Sequence, residues 1–181
     1  MNRDALLERL RKMKMGVLMG GLSNEREVSL GSGEAVMASL VRMGIEAVGI
    51  DMGRDLCARV KSENIDLAFI ALHGRYGEDG CAQGALEIMG VPYTGARVTA
   101  SAVAMDKVLS KIVAIDCGVK TADWRVIEKS RKAEDVKTLD MKAPVVIKPA
   151  SGGSSLGVTI CKKDEEISPA IDLAFDSGDR V

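Results

Sequence analysis

A lysine delivered by a strand into a Gly/Ser-rich loop is equipment for holding phosphate, and residues 144–157 have that form. Pro144-Val145-Val146-Ile147 is apolar and β-branched, and Lys148-Pro149-Ala150-Ser151-Gly152-Gly153-Ser154-Ser155-Leu156-Gly157 follows at once. Glycines reach positive φ at no steric cost, so such a loop can turn several backbone N–H groups toward one anion. Serine hydroxyls add donors and the lysine adds charge. The order differs from the Gly-Lys-Ser/Thr loop that opens a helix, because here the lysine comes first and Val158-Thr159-Ile160 reads as a second strand. A Gly/Ser turn that merely joins two strands is the plain alternative.

Two earlier loops also carry polar side chains at places where a site could form. Gly20-Gly21-Leu22-Ser23-Asn24-Glu25-Arg26-Glu27-Val28-Ser29 follows an apolar strand and opens a helix, which favours an anion at its N–H groups. Glu25 and Glu27 there have two readings. They complement the helix dipole, worth about 0.3–1 kcal/mol, or Glu25 faces a cleft and binds an ammonium. His73-Gly74-Arg75-Tyr76-Gly77-Glu78-Asp79-Gly80 holds the chain's one histidine. With no second His or Cys nearby, no metal site is expected there. Glu78 and Asp79 suit capping of the next helix. Lys107 and Lys111 lie one turn apart on a helical stretch, a solvated face by default; one of them could reach a phosphate together with Lys148.

These loops need elements to place them. Apolar spacing predicts helices near 2–13, 26–43, 54–63 and 81–89, and strands at 16–19, 45–50 and 66–72. Strands alternating with helices imply a doubly wound parallel α/β sheet, whose ligands bind at the carboxyl ends of the strands. Loops 20–27 and 73–80 both fall at such ends. Beyond Gly95 the style changes. A long helix over 99–117, a strand around 124–127, a polar helix or loop over 129–141, strands at 144–148 and 156–161 and a helix near 164–176 suggest an α+β unit. The expected domains are therefore 1–95 and 96–181.

Composition narrows the class. The chain has 181 residues, 46 % hydrophobic, with a formal charge of −1 and 3 % aromatics, which gives no basic or base-stacking face for nucleic acid. No apolar stretch approaches the length that spans a bilayer, and the start is charged, so no membrane contact and a cytoplasmic location are expected. Cys57, Cys81, Cys117 and Cys161 are widely spaced and read as reduced thiols.

The combination resembles the D-alanine:D-alanine ligase family of ATP-grasp enzymes. Gly20 to Leu30, His73 to Gly80, Pro92-Tyr93-Thr94-Gly95 with Ala100-Ser101 and Met105-Asp106-Lys107, and Lys148 to Gly157 carry the resemblance, in that order. It implies a Rossmann-like pre-ATP-grasp domain followed by an ATP-grasp central domain. It also implies ATP-dependent joining of two D-alanines through an acyl phosphate for peptidoglycan precursors, Mg²⁺ as cofactor and a homodimer formed through the N-terminal domain. By the same resemblance, Glu25, Val28 and His73 bind the first D-alanine, Glu25 taking its ammonium. Lys107, Lys148, Gly153, Ser154 and Ser155 contact ATP phosphates, and Ser154 also belongs to a network with Glu25. Asn24 departs from the alanine common in the family.

Relatives of this kind continue beyond the position of Val181, into a part expected to carry the Mg²⁺ ligands and the oxyanion arginine. The chain is accordingly expected to be a piece of the ligase that is inactive alone. The alternatives are a D-alanine:D-lactate-type or other ATP-grasp carboxylate–amine ligase, and a non-catalytic remnant that binds ligand or dimerises.

Overall fold

The computed structural model describes residues 2–181, which form one compact unit up to Ala102 and a second over Val103–Val181. The first unit is a three-stranded parallel sheet in the order β2-β1-β3, with β1 at Lys14–Met19, β2 at Glu46–Asp51 and β3 at Leu67–Ile70. Lys14 lies opposite Glu46, and Met15 opposite Leu67. Residues 92–94 extend the β3 edge: the Ala68 N–H donates to Pro92 O at 2.9 Å and the Thr94 N–H to Ala68 O at 3.0 Å.

Side chains alternate across a strand, and β1 shows what that alternation buries. Met15 and Val17 face a cluster with Leu40, Ile45 and Ala71, against which Leu7 and Leu10 of helix α1 (Arg3–Leu10) and Val36 and Met37 of helix α2 (Arg26–Arg42) pack. Leu18 faces the other way, into a cluster with Ile50, Leu56, Val60 and Leu86. Leu56 and Val60 come from helix α3 (Leu56–Ser62), and Leu86 from helix α4 (Cys81–Met89). Helices therefore cover both faces of the sheet, which makes this unit α/β. Gly16 makes room for that cover, since a Cβ there would sit 3.0 Å from Ile65.

The second unit contains helices α6 (Lys107–Asp116), α7 (Lys132–Lys137) and α8 (Ile167–Phe175) with an antiparallel pair, β4 (Val145–Ile147) and β5 (Thr159–Cys161). Its core joins Ile127, Cys161, Ile167, Ile171 and Phe175, with Val145 and Ile147 packed against it. The boundary between the units falls within helix α5 (Val98–Met105).

Two expected elements differ. The single helix over 99–117 is two helices, because Asp106 is extended (φ −93°, ψ 110°) and forms a bridge with Ser151. Its carboxylate Oδ1 accepts the N–H groups of Val108 at 2.9 Å and Leu109 at 3.1 Å, so Asp106 caps α6 rather than lying inside a helix. The stretch around 124–127 is not a strand. Ile127 instead exchanges two backbone hydrogen bonds with Val181, at 2.9 and 3.0 Å. Among the described residues no helix is long and apolar enough to cross a membrane. Cys57, Cys81 and Cys117 are exposed free thiols, and Cys161 is a buried one.

Candidate functional site

In the first unit, parallel pairing brings two loops to one edge. β1 and β3 run side by side, so the chain leaves both at their carboxyl ends into residues 20–25 and 71–80. Two serines tie these loops together. The buried Ser29 hydroxyl donates to Ala71 O at 2.8 Å, and the Ser23 hydroxyl donates to His73 O at 2.8 Å. Ser23 also accepts the Glu25 N–H at 3.1 Å, which turns the chain into α2.

Glu25 is the N-cap of α2, yet its side chain makes no capping bond. Its carboxylate lies over Gly74, where a Cβ would come 2.5 Å from Oε2. Gly74 has φ +67°, a conformation glycine takes freely, so the backbone favours glycine there, and a Cβ would in addition push the Glu25 carboxylate aside. The Glu25 carboxylate is thus turned toward the neighbouring loop rather than onto the N–H groups of its own helix. Val28 projects into solvent at 60 % exposure.

The loop 73–80 is held by its own acidic residues. Asp79 accepts the Tyr76 N–H at 2.9 Å and the Cys81 N–H at 3.0 Å, the latter being the first N–H of α4. Burial pushes the Asp79 carboxyl up, but those N–H bonds outweigh it and hold the group below the usual carboxylate range. Glu78 does not cap the helix. It accepts the Gly74 N–H at 2.9 Å, while its other oxygen is 3.8 Å from His73 Nδ1. His73 Nε2 meets the Ser32 hydroxyl at 3.0 Å.

A third contact fixes loop 20–25 to the end of β2. Arg26 donates twice to the Asp51 carboxylate, at 2.6 Å each, and Asp51 also accepts the Gly21 N–H at 3.3 Å. The Arg26 hydrogen bond is the main reason the Asp51 carboxyl lies below its ordinary range.

In the second unit, Lys107 and Lys148 line one cavity of about 460 Å³, a size suited to a small-molecule site. Its other walls are largely apolar and include Trp124, Val126, Leu139, Met141 and Ile147. Lys107 opens α6, and its Nζ donates to Gly152 O at 2.7 Å, so it reaches the Gly/Ser loop directly. Burial, and then the positive charge of Lys148, push the Lys107 ammonium below its ordinary range, with Asp106 partly opposing them. Lys111 lines the same cavity and donates to Thr121 Oγ1 at 2.6 Å and Ala122 O at 3.0 Å, away from the Gly/Ser loop that Lys107 reaches.

The loop after Lys148 is open. Gly152, Gly153, Ser154 and Ser155 are exposed, and Gly152, Ser154, Ser155 and Gly157 all have positive φ. Gly157 ends the turn where a Cβ would press on Pro149 at 3.0 Å and on Ala174 of α8 at 3.3 Å. Successive N–H groups in such a turn form an anion-binding concavity. Asp106 anchors the base of the site, because the Lys107 N–H donates to Ala150 O at 2.8 Å while Arg180 donates to the Asp106 carboxylate.

Sequence reasoning overlooked Ser23, Ser32 and Arg180. Nothing in the local pattern marks them, since each acts on a residue at least 40 positions away. Asp106 did carry a signal, an Asp immediately before the apolar run of α6.

The family described as D-ala D-ala ligase N-terminus matches residues 54–96, and the one described as D-ala D-ala ligase C-terminus matches residues 113–181. The chain is 54 % identical over 169 residues to a D-alanine–D-alanine ligase of Citrifermentans bemidjiense, covering 93 % of this chain and 54 % of that protein. The D-alanine–D-alanine ligase of Bacillus anthracis has a similar structure, with a TM-score of 0.81 at 37 % identity, covering 93 % of this chain and 55 % of that one. The same ligase crystallised with ATP gives a TM-score of 0.78 at 35 % identity, covering 93 % and 56 %. The chain thus spans about half the length of the curated relatives it matches. Two family matches in chain order, over 54–96 and 113–181, and this level of identity agree: along its length the chain is similar to the D-alanine–D-alanine ligases.

Proposed function

We propose that this chain supplies the ATP phosphate contacts and the first-substrate contacts of an ATP-dependent D-alanine:D-alanine ligase. In this reading the first unit is its pre-ATP-grasp domain and the second its ATP-grasp central domain. The observation that carries the reading is the pairing of Lys107 and Lys148 on an apolar cavity beside the Gly/Ser loop. An apolar slot suits a purine, and the lysines with the N–H groups of 152–157 suit the phosphates attached to it.

The reaction divides into two displacements. The carboxylate oxygen of one D-alanine attacks the γ-phosphorus, the bond to ADP breaks, and an acyl phosphate forms. The amine of the second D-alanine then attacks the acyl carbon, phosphate departs and the nitrogen loses a proton. Phosphoryl transfer depends chiefly on positioning and charge neutralisation. Lys107 and Lys148 provide the charge, and Gly153, Ser154 and Ser155 the covering loop. Mg²⁺, if bound in the whole protein, would supply further neutralisation of phosphate charge. Among the described residues no group of three or more His, Cys, Asp or Glu side chains could hold it, so this part of the chain works on phosphate through lysines and N–H groups. Glu25 takes the ammonium of the first D-alanine, and His73 stands by its carboxylate.

The test is ADP release by the protein that carries this chain, with and without D-alanine. The reading expects release to need D-alanine, Lys148→Met to abolish it, and Glu25→Gln to raise the KM for D-alanine at least about tenfold, the loss of one ion pair of about 1.4 kcal/mol. ADP release indifferent to D-alanine would contradict it.

A further inference from the structure

His73 is fixed twice, and the second fixture decides where its proton sits. Its carbonyl accepts the Ser23 hydroxyl at 2.8 Å, and its ring Nε2 lies 3.0 Å from the Ser32 hydroxyl. A serine hydroxyl has one hydrogen to give and lone pairs to receive with. Ser32 gives its hydrogen to Val28 O at 2.9 Å, the carbonyl one turn back in α2. The oxygen can then only accept from the ring, so Nε2 must carry hydrogen. We infer that Ser32 is a positioning residue that locks His73 in the Nε2–H form and leaves Nδ1 as the one ring position at which a proton enters or leaves.

The consequence lies on the other side of the ring. Nδ1 faces Glu78 Oε1 at 3.8 Å, beyond hydrogen-bond reach, while the second Glu78 oxygen is occupied by the Gly74 N–H at 2.9 Å. Nδ1 is therefore uncommitted. Neutral, it offers a lone pair toward loop 73–80; protonated, it presents an N–H there that a carboxylate ligand or Glu78 can accept. Without Ser32 the ring could place its hydrogen on either nitrogen and rotate about χ2, and the donor facing the loop would be diluted over several states. The role of Ser32 in catalysis rests on the reading that His73 contacts the substrate carboxylate. The tautomer does not.

The experiment uses the fact that the chain has a single histidine, so ring ¹⁵N signals need no assignment. Long-range ¹H–¹⁵N spectra of the histidine-labelled chain are recorded at a pH where the ring's own titration shows it neutral. The expected result is an Nε2–H pattern in the wild type, a shift toward a mixed pattern in Ser32→Ala, and the wild-type pattern in Ser32→Thr, which keeps the hydroxyl and the back-bond. Amide spectra report whether each variant is folded. In the protein that carries this chain, Ser32→Ala should raise the KM for the first D-alanine several-fold with a smaller change in kcat, and Ser32→Thr should restore it. An Nδ1–H pattern in the wild type, or an unchanged pattern in folded Ser32→Ala, would overturn the inference. A correct tautomer with unaltered kinetics would overturn the assignment of His73 to the substrate and leave the lock standing.

Discussion

Gly74 and Lys107 are the residues on which the two proposed sites turn, one in each unit. Gly74 has positive φ and lies under the Glu25 carboxylate. Gly74→Ala should therefore cost about 1–3 kcal/mol in urea unfolding and should also weaken D-alanine binding, because Glu25 has to move aside. Full stability in that variant would mean that the loop has more room than its geometry implies. Lys107 is held below the ordinary lysine range by burial and by Lys148. The sign follows from which form is favoured. The folded chain binds this proton less tightly than the unfolded chain, so the strain of the charged form is fully present below the folded pKa and vanishes as pH rises past the unfolded value. A phosphate anion reverses that preference. ATP affinity should then decline with rising pH before the ordinary lysine range is reached, and Lys107→Arg, which stays charged, should flatten the decline. A decline of the same steepness in both proteins would remove Lys107 from the phosphate site.

Elements decide which residues reach a site, and the loop between β1 and α2 depends on one ion pair. Asp51 at the end of β2 has its carboxyl lowered by Arg26, so it contributes stability that is present above about pH 4 and is lost as pH falls through its folded pKa. Asp51→Asn should lose part of the acid sensitivity of urea unfolding and become the less stable protein near neutrality; identical pH profiles would show that the pair holds nothing. The elements themselves were legible to different degrees. Helix α2 runs over Arg26–Arg42, close to the 26–43 read from its apolar spacing and Gly44, and the strands of the first unit lie on short apolar runs. Helix 99–117 misled because its apolar period continues through Asp106, whereas the break comes from a bridge to Ser151, 45 positions on. The stretch at 124–127 misled for a related reason. Its partner is the backbone of Val181, and a pairing that distant leaves no mark on local sequence. Among site residues, those in Gly-rich loops next to strands announced themselves, while Ser23 looks like any helix-start serine and Ser32 like any serine within a helix until the fold brings His73 to them.

At the scale of the whole molecule, each unit has its own core and its own part of the proposed chemistry. The first holds Glu25 and His73, the groups proposed to bind an ammonium and a carboxylate, and the second the cavity with Lys107, Lys148 and the Gly/Ser loop. The nucleotide claim is the central one, because the family reading without it leaves the acyl phosphate step unsupported. Trp124 makes it directly measurable: it is the only tryptophan of the chain and it lines the cavity. Titrating the chain with ATP while following tryptophan fluorescence should give a saturable change, and Lys148→Met should weaken the apparent affinity by about tenfold or more, a difference of about 1.4 kcal/mol. A flat titration, or one that Lys148→Met leaves unaltered, would contradict the account.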